Sequence, residues 1–257
     1  MPRLRITFLG TGTSQGVPLI GCPCKVCQSA DPRDNRLRTS ILIESETTNI
    51  VIDSGPDFRQ QMLRSKVKQM DALVFTHSHK DHVAGMDDIR AFNYIQQKAM
   101  DVYATTATQE VLIREFSYVF NGNNYPGIPE VKLHTIAAQT SFQIGDIILE
   151  PIEVMHYKMP VLGFRMGDFT YITDANYISP TAMQQLVGTK TLVLNALRRE
   201  THVSHFSLSE ALALAQQIGA EATYFTHASH QLGLHAQVSA DLPEGVYLAY
   251  DTLSIEI

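Results

Sequence analysis

The sequence predicts an α/β fold in which two mixed β-sheets pack face to face with helices on the outside. Two observations lead to this prediction. Short apolar segments typical of strands recur in two runs along the 257 residues, and helical patterns are interspersed among them. In addition, side chains that can bind metals repeatedly follow the apolar segments, so they would converge along one edge of the sheets.

The composition predicts a single soluble domain spanning residues 1–257. Hydrophobic residues make up 44% and charged residues 18% of the chain, which is enough to bury a full core. The formal net charge of −6 argues against a large nucleic-acid partner. Because we find neither a membrane-length apolar run nor a signal sequence, we expect a cytoplasmic protein with no membrane partner.

The first half of the chain alternates strands with helices. Strands are predicted over residues 3–9, 39–44, 49–52, 72–75 and 101–104. Helices are predicted from Pro56 to about Lys66, over residues 83–95 and over residues 106–120. The glycine-rich loop from Gly10 to Pro18 lacks the lysine and following helix of a P-loop, so it predicts only a turn. Another polar loop is expected at residues 121–127.

The second half is richer in strands. They are predicted over residues 131–136, 141–144, 147–155, 163–165, 169–173, 191–195 and 222–226, and from residue 245 onward. Helices are predicted over residues 179–187 and 211–218. The second of these helices follows Ser207 and Glu210, which have the spacing of a capping box.

Four potential metal ligands lie within six residues after the apolar segment 72–75. They are His77, His79, Asp81 and His82. If the strand conformation continues past Phe75, His77 and His79 point in the same direction. Imidazole and carboxylate groups are the donors that borderline divalent metals prefer, and packing does not account for four of them together.

Three further potential ligands occupy the same kind of position. His156, Asp174 and His227 each follow an apolar segment. Singly, each is more typical of a structural residue; together with the first cluster, they predict one metal centre. Asp53 also ends a predicted strand, and we expect it to orient one of the imidazoles or to cap the following loop.

These seven residues resemble the ligand set of the metallo-β-lactamase superfamily, whose fold is an αββα sandwich. The resemblance implies that His77, His79 and His156 bind one divalent metal ion, manganese or zinc. It assigns Asp81, His82 and His227 to a second ion, with Asp174 bridging the two, and it counts Asp81 among the catalytic residues. Two such ions can activate water and polarise a phosphoryl or acyl centre.

Cys22, Cys24 and Cys27 form a C-x-C-x-x-C motif. Buried apolar cysteines or a redox pair are alternatives to a zinc site, which needs a fourth ligand; His230 is the natural candidate. This loop, together with the glycine-rich opening, resembles the PhnP branch of the superfamily. The resemblance implies a structural zinc on the residues that match Cys22, Cys24, Cys27 and His230.

The same resemblance implies a catalytic role for His205. In the phosphodiesterase and ribonuclease Z branches, a histidine at this place contacts the scissile phosphate or protonates the leaving oxygen. His205 matches it better than His202 does, because it lies directly before the capped helix. An imidazole suits general acid catalysis near neutral pH. A hydrogen bond at the helix entry is the alternative.

These features favour a dinuclear phosphodiesterase that cleaves a small substrate, such as a ribosyl or nucleoside cyclic phosphate. A lactonase or thioesterase, a PqqB-like cofactor-biosynthesis protein and a non-catalytic binding module are the alternatives. Ribonuclease Z is disfavoured because we find no inserted substrate-gripping arm. Arg36, Arg38, Arg90 and Tyr157 are candidates for contact with the small phosphodiester. Dimers are common among such relatives, so a homodimer is also expected.

Overall fold

A computed structural model describes residues 2–122 and 125–257. Its first sheet combines the N-terminal part of the chain with the last strand. Side by side, its strands are β14 (Ser254–Glu256), β1 (Arg5–Gly10), β2 (Ser40–Glu44), β3 (Asn49–Ile52), β4 (Ala72–Val74), β5 (Met100–Ala104) and β6 (Val131–Thr135). Strand β1 runs antiparallel to both of its neighbours, whereas β3 to β6 run parallel.

The second sheet is built from the C-terminal half of the chain. Its strands, in spatial order, are β13 (Val246–Leu248), β12 (Ala222–Thr226), β11 (Thr191–Asn195), β10 (Phe169–Tyr171), β9 (Met159–Met166), β8 (Ile147–His156) and β7 (Phe142–Ile144). Strands β10 to β13 are parallel, and β7 to β10 are antiparallel. Both sheets are therefore mixed, as predicted.

Helices cover the outer faces of both sheets. The first sheet carries α1 (Phe58–Ser65), α2 (Lys80–Val83), α3 (Arg90–Gln96), α4 (Thr106–Glu115) and α5 (Ser117–Phe120), and the second carries α6 (Pro180–Gln185), α7 (Leu208–Ile218) and α8 (His235–Asp241). Short 3-10 helices occur at Pro32–Asp34 and Met86–Ile89. No helix in the described part of the chain is long and apolar enough to cross a bilayer.

Apolar side chains form three layers. Between the sheets, Phe8 and Ile52 from one side share a buried cluster with Phe164 and Tyr171 from the other. Two further clusters fill the spaces between each sheet and its helices. Burial of this kind is the main favourable contribution to folding. The layers confirm the predicted sandwich of two sheets with helices outside.

Most predicted elements are present, and the differences have local causes. The predicted helix at residues 83–95 is interrupted because Gly85 N–H donates to Ser54 O at 2.8 Å rather than to the preceding helical turn. Phe116, with φ −112° and ψ 41°, separates α4 from α5. Helix α8 was not predicted, because its seven residues bury only His235 and Val238. The polar loop predicted at residues 121–127 includes residues 123 and 124, which lie outside the described residues.

The capping box at the start of α7 provides a test of local stability. Ser207 Oγ accepts a hydrogen bond from Glu210 N, and Glu210 Oε2 accepts one from Ser207 N at 2.8 Å. We expect Ser207→Ala to lower the free energy of unfolding by about 1 kcal/mol, because a helix N–H group loses its acceptor. Denaturant titration measures the change. Gln217→Ala, at an exposed position of the same helix, is the control; equal stability of the two variants would contradict the prediction.

Candidate metal centre

The carboxylate of Asp174 lies at the centre of the predicted ligands. It is buried, with 2% of its surface exposed. Its Oδ2 lies 3.1 Å from His82 Nε2 and 3.2 Å from His227 Nδ1, while Oδ1 lies 3.0 Å from His205 Nε2. Burial raises the pKa of Asp174, but His227, His82 and His205 together hold it well below its usual range. Asp174 is therefore an ionised group surrounded by imidazoles.

Three sets of potential ligands share this carboxylate. In each set the donor atoms lie within 4.8 Å of one another, and the sets are His77, His82 and Asp174; His156, Asp174 and His205; and Asp81, Asp174 and His227. The residues come from loops that leave both sheets. All the predicted active-site ligands except His79 thus belong to these sets, and His205 joins one of them.

His79 has a different position from the one that strand geometry predicted. Strand β4 ends at Val74, so the condition under which His77 and His79 would alternate along a continuing strand is not met. His79 instead directly precedes α2, and its side chain is exposed. Its ring nevertheless lies 4.7 Å from that of His77 and 5.0 Å from that of His156. The loop therefore keeps the three rings together.

Several ring nitrogens in the cluster have no hydrogen-bond partner among the described residues. They include His77 Nε2, His82 Nε2 and both ring nitrogens of His227, all buried. Because His82 Nδ1 donates to Asp53 Oδ2 at 2.7 Å, a neutral His82 directs the lone pair of Nε2 towards the carboxylates of Asp81 and Asp174, 3.2 Å and 3.1 Å away. Either a proton on Nε2 or a metal ion compensates these carboxylates, and the set of imidazole and carboxylate donors fits divalent metal ions.

Burial keeps most of the imidazoles neutral, which is the form that binds metals. It lowers the pKa of His227 to about 4, and it also lowers the pKa values of His77 and His156. His82 is the exception. Burial lowers its pKa, but the charges of Asp174, Asp53 and Asp81 outweigh burial and raise the pKa well above its usual value.

Two contacts fix the orientation of the imidazoles. Asp53 Oδ2 accepts from His82 Nδ1, and the Asp53 carboxylate also accepts from Thr76 N and Thr76 Oγ1, both at 2.9 Å. His156 Nδ1 donates to Ser204 O at 2.8 Å. Each ring therefore presents its Nε2 atom to the cluster. The expected contact between Asp53 and an imidazole is present.

Left-handed backbone conformations recur where strands lead into the site. The φ angles are 67° at Asp53, 56° at Asp174 and 57° at His227, and Tyr157, directly after His156, also has 57°. Such values are uncommon outside glycine, although Asp and His adopt them more readily than most residues. They turn the chain sharply at the strand ends, which holds the side chains at one edge of the sandwich.

The cysteines form a second potential metal site. Cys22 Sγ lies 3.4 Å and Cys24 Sγ lies 3.3 Å from His230 Nδ1, and all four predicted ligands, including Cys27, lie within 4.8 Å of one another. The amide of Cys27 and the ring of His230 lower the pKa of Cys24 to about 6. Three thiols and one imidazole at these distances suit a closed tetrahedral zinc site.

The three arginines suggested as substrate contacts are engaged with other groups of the protein. Arg36 is buried against Thr11 Oγ1 and Ala249 O, and Arg38 forms an ion pair with Asp57 at 3.0 Å. Arg90 pairs with Asp87 at 3.3 Å. Tyr157 is 55% exposed. Arg198, which sequence reasoning did not single out, lies beside His202; no motif or spacing marked it.

Comparison with known proteins identifies related chains. A model of the Beta-lactamase superfamily domain matches residues 48–228. The crystal structure of a new diphosphatase from the PhnP family is 38% identical and superimposes with a TM-score of 0.93, covering 99% of this chain and 97% of that one.

Two curated relatives match different lengths of the chain. An octanoyltransferase from Porphyromonas gingivalis (strain ATCC BAA-308 / W83) is 38% identical over 252 residues, which cover 97% of this chain and 51% of the relative. A ribonuclease Z from Bradyrhizobium diazoefficiens (strain USDA 110) is 24% identical over 163 residues, covering 62% of this chain and 48% of the relative. The match thus spans about half the length of each of these two relatives.

Removal of the Asp53 carboxylate tests its support of the cluster. We expect Asp53→Asn to weaken metal binding at the histidines by about ten- to a hundredfold, because His82 loses a charged acceptor. Competition with a chelator measures the affinity. Asp168→Asn removes a carboxylate that pairs with Lys190 at the surface, at 2.7 Å, and should leave the affinity unchanged. The same affinity in both variants would show that Asp53 does not support the metal.

Loss of one thiol tests the cysteine site. We expect Cys24→Ser to lose the zinc of this site, about one ion per chain, and to unfold at a lower temperature, because structural zinc binding is coupled to folding. Elemental analysis and thermal unfolding measure the two effects. Lys25→Gln, an exposed change in the same loop, is the control. Full zinc content in Cys24→Ser would rule out the assignment.

Proposed function

Because this chain belongs to the metallo-β-lactamase superfamily and, within it, to the PhnP-like branch, we propose that it is a metal-dependent hydrolase of small phosphodiesters. As the resemblance implies, His77, His79 and His156 would hold one active-site ion, zinc or manganese, and Asp81, His82 and His227 would hold the other, with Asp174 shared by both. When bound, such ions supply Lewis acidity to a phosphoryl oxygen. A structural zinc on Cys22, Cys24, Cys27 and His230 completes the proposal.

The position of His205 carries this proposal. Its Nε2 lies 3.0 Å from Asp174 Oδ1, and its ring stacks on that of His227 with centroids 4.9 Å apart. It also lies 4.6 Å from the ring of His156. An imidazole N–H group thus lies at the edge of the ligand cluster, where it can protonate an oxygen that leaves phosphorus. Hydrolysis of an ester with a good leaving group would depend less on this proton donor.

Other groups orient the imidazoles of the site. Asp53 holds His82 in one orientation through the 2.7 Å hydrogen bond, and Ser204 O holds His156. The neutral imidazoles add no negative charge, so the centre can retain positive charge for an anionic substrate. In the hydrolysis, the bond from water oxygen to phosphorus forms and the bond from phosphorus to the leaving oxygen breaks. His205 delivers a proton to that oxygen, and the proton that the attacking water releases restores the one lost from His205.

A diphosphate is the second candidate substrate. The similarity to the PhnP-family diphosphatase, at 38% identity and a TM-score of 0.93, favours it. The bond cleaved would then join two phosphorus atoms through oxygen, and the leaving group would be a phosphate. Such a group departs more readily than an alkoxide, so it depends less on a proton from His205. The net charge of −6 favours a small substrate over a large nucleic acid in either case.

Metal content and turnover in wild type and His205→Ala test the function. We expect about three metal ions per chain and hydrolysis of bis(p-nitrophenyl) phosphate by the wild type. For a diester with an alkoxide leaving group, His205→Ala should lower kcat by about 10²–10⁴-fold, because the proton donor is lost. The loss should be much smaller with p-nitrophenolate, which leaves without protonation.

His134→Ala is a matched control for this substitution. His134 lies on β6 and contacts Asp101, with no part in the ligand cluster. Full metal content without turnover of any phosphodiester or diphosphate would refute the proposal. Lactones and thioesters would then be the substrates to examine. Equal losses with both leaving groups would refute the role of His205 as an acid.

A further inference from the structure

A cavity of about 390 Å³ adjoins the loop of metal ligands that follows β4. Its volume lies within the range of small-molecule sites. His77 and Ser78 form part of its wall, and the start of α4, the segment 136–138 and the start of β9 form most of the rest. Both sheets therefore contribute to this cavity, and it reaches His77, a predicted metal ligand.

Two backbone contacts hold the wall of this cavity beside the predicted ligands. Met159, in the wall, pairs with His156 across the hairpin between β8 and β9. Leu162, on the same strand, donates its N–H to Thr76 O at 3.1 Å, directly before His77. A group bound at the ligand cluster therefore has this cavity as its neighbour on the side of His77 and His156.

The walls of the cavity are mainly apolar. Apolar side chains come from α4, from the segment 136–138 and from β9, while Ser78 and Thr106 add hydroxyl groups. Among the described residues, no Lys or Arg side chain lines the cavity, and the carboxylate of Glu153, in its wall, is exposed and forms no ion pair. The cavity therefore favours an uncharged group, because an anion there would meet a carboxylate and no compensating cation.

We propose that this cavity binds an uncharged organic substituent of the phosphodiester, such as an aromatic ring or a short alkyl chain. The inference rests on the proposed function and narrows its substrate class to phosphodiesters in which one group on phosphorus is uncharged and largely apolar. A phosphodiester carries two organic substituents, so one of them lies beside the cluster when phosphorus lies at it. Burial of its apolar surface supplies affinity, and the hydroxyls of Ser78 and Thr106 can bind polar atoms that it carries.

Binding of a matched pair of phosphonates, whose carbon–phosphorus bonds are not hydrolysed, tests the inference. We expect the metal-loaded full chain to bind phenylphosphonate about tenfold more tightly than methylphosphonate, because the cavity buries the ring. In Ala107→Gln, whose longer side chain fills the cavity, the preference should fall to about twofold while the affinity for methylphosphonate stays unchanged. Isothermal titration calorimetry measures both constants. Ala213→Gln, an equally exposed change on α7, is the control and should keep the preference.

The charge of the bound group provides a second test. We expect 4-carboxyphenylphosphonate to bind about fivefold more weakly than phenylphosphonate, because its carboxylate would enter a cavity that contains Glu153. Glu153→Gln should remove most of this loss, since it keeps the shape of the side chain without the charge. Tighter binding of the carboxylate compound by the wild type would show that the cavity takes anions and would overturn the inference.

These measurements need no turnover, so their outcomes separate this inference from the proposed function. Equal affinities of the wild type for the two phosphonates, or a full preference in Ala107→Gln, would overturn the inference even if phosphodiesters are hydrolysed. A preference that only the change at residue 107 abolishes supports the cavity as a binding site even if no phosphodiester is cleaved. Thermal unfolding shows whether each variant is folded, and Ala107→Leu replaces Ala107→Gln if the latter is not.

Discussion

Carboxylates that are shielded from water need compensating positive charge when they are ionised, and the centre of this protein concentrates three carboxylates. Asp174 and Asp53 are buried, and Asp81 is largely so. His82 lies between them, with Asp53 on one nitrogen and the other two carboxylates facing the second. One protonated imidazole cannot balance three carboxylates, and an uncompensated buried charge costs several kcal/mol. Two divalent ions would balance them, which explains why so many polar groups can be buried here.

Neither sheet can form the centre alone. The first sheet contributes Asp53 and the loop that follows β4, and the second contributes His156, Asp174 and His227. The contact between the sheets, through side chains such as Phe8 and Phe164, therefore sets the spacing of the ligands. The matched family region, residues 48–228, includes the predicted active-site ligands but excludes all four residues of the cysteine site. That site joins the N-terminal loop to the turn after β12.

The sequence predicted much of this arrangement, because its strongest signals are local. Residues 49–52, 191–195 and 222–226 form strands with the predicted bounds, since each is a short apolar run with clear ends. The predicted ligands follow such runs and do come together. Tertiary contacts account for the failures: Gly85 donates to Ser54 rather than continuing a helix, and His79 lies beyond the strand. Arg198 could not be found from the sequence, because its place beside His202 depends on how the loops fold.

The left-handed backbone at Asp53, Asp174 and His227 places two demands on each residue. Each position requires a side chain with a metal-binding donor atom, whereas the left-handed backbone favours glycine, which has no side chain. Glycine would relax the turn but would remove the side chain that can bind a metal, whereas a β-branched residue would strain the turn further. Stability and activity are thus in conflict at the same three positions.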